Sequence, residues 1–143
     1  MRRSIVAGLL LVLLLAGCGN PDQKLQENAA QMAREAASEV NTTRLAVEQL
    51  RSHRLWAQPA RQMVADAEKN LSKTASSFAS QQPTTDTSSR LYEQVTSALD
   101  AAESAVTAVR IALGNGDLAA AERQLQTLRQ TTGDLEKIGE LAK

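Results

Sequence analysis

The residues equipped for chemistry are few and scattered. Cys18 is the only cysteine and His53 the only histidine. A lone thiol closes no disulfide within its own chain. A carboxylate-bridged metal centre inside a helical bundle needs Glu-x-x-His, and three residues before His53 stands Leu50, so no metal ligand is assigned. The sequence contains no G-x-S-x-G elbow, no P-loop and no G-x-G-x-x-G turn. Glu35 and Glu39 lie one turn apart, as do Glu136 and Glu140. Facing carboxylates can serve as acid and base, but like charges at this spacing are also ordinary on a solvated helix face. No catalytic residue is assigned, no cofactor is expected, and the chain is not expected to be an enzyme.

The start of the chain is more informative. Arg2 and Arg3, then an apolar run from Ile5 to Ala16, then small residues before Cys18, make the three-part pattern of a secretory signal. The run falls well short of the roughly 20 apolar residues that span a bilayer. Its ending, Leu15, Ala16, Gly17 and Cys18, resembles the lipobox of bacterial lipoproteins. The resemblance implies that a signal peptidase recognises Leu15, Ala16 and Gly17 and cuts before Cys18. It also implies diacylation of the Cys18 thiol and acylation of the new amino terminus. The expected address is the extracytoplasmic face of a bacterial membrane, with the lipid bilayer itself as the first partner. Each buried methylene of a palmitate-like chain contributes about 0.8 kcal/mol, and two chains are enough for stable anchoring. Lys143 is similar to the terminal lysine that joins the murein lipoprotein to peptidoglycan, although this chain is longer, contains prolines and lacks the basic-aromatic tail.

These features divide the chain into a signal peptide over 1–17, a lipidated tether over 18–21 and a domain over 22–143. The domain must be built without aromatic bulk, because Trp56, Phe78 and Tyr92 are the only aromatic residues. Leu, Val, Met and abundant Ala suit close helix packing and leave little room for a large apolar pocket.

Periodicity places the helices. Asp22 is a plausible cap for a first helix whose inner face carries Leu25, Ala29, Met32, Ala36, Val40, Thr43, Val47 and Leu50, running to about Trp56. Pro59 ends or kinks it. A second helix carries Ala60, Val64, Ala67, Leu71, Thr74 and Phe78, and the apolar-free stretch Ser80–Ser89 reads as a surface loop. A third, from Asp86 or Thr87, uses Leu91, Val95, Ala98, Leu99, Ala102, Val106, Val109 and Leu113. Gly114–Asp117 is a turn in which Gly114 is expected to take the left-handed cap and Asp117 to start the last helix. That helix carries Leu118, Ala121, Leu125, Leu128, Leu135 and Ile138, with Gly133 as its expected weak point. The fold class is all-α, an antiparallel up-down-up-down bundle of four helices, or of three if Pro59 only bends a long first element.

Loss of Arg2 and Arg3 with the signal leaves 14 basic against 16 acidic residues, a net charge of −2. This balance argues against nucleic acid as a partner. Positive charge nevertheless gathers at Arg44, Arg51, Arg54 and Arg61 around His53. The cluster reads either as a contact for an anionic partner, such as an envelope protein or wall polymer, or as a solvated face that suits the helix dipole. Trp56 beside it is a candidate hot spot, although a lone tryptophan at a helix end commonly folds over the tip of a bundle. Taken together, these residues predict a membrane-anchored, non-catalytic helical module that binds or spaces envelope components. The alternative is a bundle whose interior holds a small ligand or metal.

Overall fold

Asn20, not Asp22, opens the first helix. Its side chain accepts the Asp22 amide at 3.2 Å, and Pro21 follows at a position where no amide donor is needed. The structure is a computed structural model that describes residues 19–142; the lipobox residues Leu15, Ala16, Gly17 and Cys18, and the terminal Lys143, lie outside the described residues.

Helix α1, Pro21–Arg51, runs for about 46 Å at 1.5 Å per residue. It ends earlier than the hydrophobic pattern suggests, and Pro59 is not the cause. The Arg54 amide bonds the Gln49 carbonyl at 2.9 Å and the His53 amide bonds that of Leu50 at 3.1 Å. This is the paired bond pattern of a Schellman stop, which needs a left-handed residue just past the cap. Here that residue is His53, at φ 57°. The chain then reverses through 52–56, and α2, Ala57–Ala79, packs antiparallel to α1. Pro59 sits harmlessly in the first turn of α2. The three-helix alternative is therefore excluded.

Helix α3, Asp86–Gly114, begins at a capping box in which Thr85 and Ser88 satisfy each other's backbone amides. Its far end is a second Schellman stop, with Asp117 bonded to Ala112 and Gly116 to Leu113. The left-handed residue is Gly116, at φ 72°, rather than Gly114. Asp117 then caps α4, Leu118–Arg123, by accepting the Ala120 amide at 2.8 Å. A turn at Gln124 separates α4 from α5, Leu125–Gly139, so the last arm is interrupted there, and the helix passes through Gly133 without a break.

The four arms form an up-down-up-down bundle in which α3 meets all three other arms and so, more extensively, does α1. This explains why its buried face is wider than a single stripe: Ala30, Ala33, Ala37 and Ala46 are buried beside Leu25, Ala29, Ala36, Val40, Thr43 and Val47. Alanine lets three neighbours approach one helix closely, and larger buried residues on the other arms complete the core: Leu71, Phe78, Leu99, Leu128 and Leu135. Short polar links tie the first half of α1 to the chain around it. The Thr85 hydroxyl donates to the Asp22 carboxylate at 3.0 Å, Asn28 to Gln81 at 3.2 Å, and Gln26 to the Leu141 carbonyl. Arg34 donates to the Gly139 carbonyl at 2.6 Å. The absence of a side chain at Gly139 is what admits this contact, since a Cβ there would stand 2.8 Å from Arg34 Cγ.

Candidate interaction surface

The topology gives the bundle two unlike ends. The start of α1, the end of α2, the start of α3 and the end of α5 lie together at the first. The reversals 52–56 and 115–117 lie at the second, the full length of α1 away. Three of the four arginines singled out by the sequence stand at that second end, with His53 and Trp56.

Arg44 is the exception. Its guanidinium bonds both Glu48 oxygens, at 2.9 and 3.0 Å, and Nε donates to Asn41 at 3.1 Å. Glu48 is bound from a second side by Arg129 at 3.0 Å, which ties α1 to α5. Arg44 is thus spent on an internal clamp. Among the described residues Arg51, Arg54 and Arg61 make no ion pair, and all three are exposed. Arg51 suits the negative end of the α1 dipole. Arg54 and Arg61 have no such explanation, and the first turn of α2 between them carries no acid.

Trp56 does not fold over the tip: it is 84% exposed, the most exposed large apolar residue described. Its backbone serves as the N-cap of α2, yet indole offers no acceptor and no side-chain cap bond forms. Serine, threonine or aspartate at this position would stabilise α2 by about 1 kcal/mol. Alongside lies a shallow hollow of about 150 Å³ bounded by Leu50, Ala57, Leu113 and Leu118, with Arg61 at its rim.

A second clamp joins α2 to α3, where Glu68 receives Arg110 at 2.6 Å and the Thr107 hydroxyl at 2.7 Å. For both Glu48 and Glu68 burial raises the carboxyl pKa, but the hydrogen bonds and charges of their partners outweigh it, so each lies below the ordinary 4.5. A lowered folded pKa contributes stability above the unfolded value and loses it as pH falls through the folded one. Urea unfolding midpoints should therefore hold near neutrality and decline below about pH 4.5. Each half-exposed clamp should account for roughly 0.5 kcal/mol, and Glu48→Gln should flatten part of the decline.

The remaining candidates are dispersed. Glu35 is exposed and accepts Gln31 at 3.0 Å, while Glu39 accepts Asn70 at 3.3 Å. Glu136 and Glu140 are exposed on α5 and just past it. Among the described residues no group of three His, Cys, Asp or Glu side chains is placed to hold a metal ion. A hollow of about 800 Å³ is an open groove between α2 and α3 walled by Lys69, Ser72, Lys73 and Glu103. Among the described residues no helix is long and apolar enough to cross a membrane. Compared with protein-family models, curated proteins and solved structures, the chain matches none.

Proposed function

We propose that the protein is a lipid-anchored, extracytoplasmic bundle of the bacterial envelope whose work is to hold or space other envelope components, without catalysis of its own. The observation that carries this reading is the run ending Leu15-Ala16-Gly17-Cys18, only two residues ahead of the Asn20 cap. Acylation at Cys18 would join the lipid to a helix lashed along its first half to the loop after α2 and to the end of α5. With only Gly19 between the acylated residue and the Asn20 cap, the bundle would be held close to the membrane surface, as a spacer needs.

Growth of the native host with an alkyne-tagged palmitate tests the anchor. The protein should take up label, and Cys18→Ser should take up none. Equal labelling of both, or labelling of neither, would refute the assignment.

A further inference from the structure

We propose that the turn 52–56 and the first turns of α2 form a docking tip for an acidic protein that receives the Trp56 indole in an apolar slot and pairs with Arg54 and Arg61. This rests on the reading of the bundle as an interaction module. Three independent features of the tip lead to it.

The local sequence takes two unfavourable choices in four residues. A left-handed C′ position is filled by glycine at the end of α3 and by His53 at the end of α1. The N-cap of α2 holds tryptophan where a short oxygen-bearing side chain would stabilise the helix. Departures of this kind from local preference concentrate at functional positions. The same turn leaves the indole 84% exposed, and exposed tryptophan and arginine are the residues on which binding energy concentrates. Finally, from Gln49 to Ala65 the chain carries Arg51, Arg54, Arg61 and His53 and no acidic residue. The protein as a whole, without its signal, is net negative.

Charge selects the occupant. A second copy docking tip to tip would bring like charges together. A polyanionic wall polymer would meet the arginines and could lay a sugar face on the indole, but it offers neither an enclosed apolar slot for the ring nor an apolar side chain for the hollow edged by Leu50 and Leu118. A bilayer would accept both, but the other large exposed apolar side chains near this end, Leu45 and Ile111, lie on α1 and α3, which face each other diagonally across the bundle. They extend no continuous apolar face from Trp56. An acidic rim around an apolar slot satisfies every group, and a small side chain of the same partner fits the hollow edged by Leu50 and Leu118.

Trp56 is the only tryptophan, so its fluorescence reports on the tip alone. A photocrosslinking amino acid at position 56, with Ser76 as the control position, is used in cells of the native host. The adduct is identified by mass spectrometry, and the protein found is purified and titrated into the mature bundle. The expected result is a protein adduct at an acidic segment, reached from 56 and not from 76. Titration should give a blue shift of Trp56 emission and an affinity that falls several-fold with added salt. Trp56→Ser, titrated by calorimetry because it has no tryptophan to report binding, should raise Tm, because it supplies a cap, and yet weaken binding about thirty-fold. Arg54→Glu with Arg61→Glu should weaken it by at least about tenfold. The proposal fails if position 56 gives no adduct beyond the control, or if either variant binds within twofold of wild type. It also fails if vesicles of phosphatidylglycerol and phosphatidylethanolamine give the blue shift while the protein does not. Membrane fractionation of the same cells reads the anchor separately, so loss of the anchor and loss of the tip contact are told apart.

Discussion

Cells making the Cys18→Ala protein should lose it from the membrane fraction almost completely, while the bundle itself folds as before. The two halves of this expectation have separate physical origins. Retention of the mature chain depends on acyl chains, each methylene of which contributes about 0.8 kcal/mol on leaving water, so once residues 1–17 are cut away a chain without the attachment residue has no anchoring energy left. Folding depends on residues 19–142, whose first helix is started by Asn20 and Pro21 and whose core begins at Leu25. Thermal unfolding of the released chain should match that of detergent-extracted wild type, and extraction with Triton X-114 should move it from the detergent phase to the aqueous phase. Firm membrane retention of an alanine variant whose intact mass shows residues 1–17 removed would place the anchor elsewhere, whereas retention with residues 1–17 still attached would be due to the apolar run from Ile5 to Ala16.

Phe78→Ala should cost the bundle about 3–5 kcal/mol, the largest effect expected from a single core substitution. Phe78 is fully buried at the end of α2 and stacks on Tyr92 of α3, ring centroids 5.3 Å apart and planes 20° apart. The vacated space would be hard to refill. Tyr92 is held by its hydroxyl, which donates to the Ala79 carbonyl at 3.2 Å, and the surrounding core is Val, Leu and Ala with few spare rotamers. The loss should appear as a fall in Tm of roughly 10–20 °C. A loss below about 1 kcal/mol would mean that α2 and α3 do not close on each other at this end as described.

The number of arms and most of their inner faces were legible because Leu and Val recur at helical spacing in every segment. Ala60, Val64, Ala67, Leu71 and Phe78 of α2 are all buried as that spacing predicts. What escaped the pattern has three physical causes. Alanine is too small to mark a face, so the width of the α1 contact, carried by Ala30, Ala33, Ala37 and Ala46, emerges only once three neighbours surround that helix. Histidine is not a customary helix stop, so the left-handed His53 hid the end of α1 and the proline six residues on took the credit. Hydrogen bonds between distant residues cannot be read from spacing, which is why Arg44 looked like part of a free basic cluster. Its partners are Glu48 on its own helix and, through Glu48, Arg129 on α5. Likewise, nothing in the spacing around Trp56 distinguishes a ring folded over the tip from one left in water; the backbone at 52–56 decides it.

Intact-mass spectrometry of the protein from the membranes of its native host tests the central claim most directly. The account predicts a chain that begins at Cys18 and carries the added mass of a diacylglycerol and of a further acyl group. A chain that retains residues 1–17, or one that begins beyond Cys18 without lipid, would contradict it.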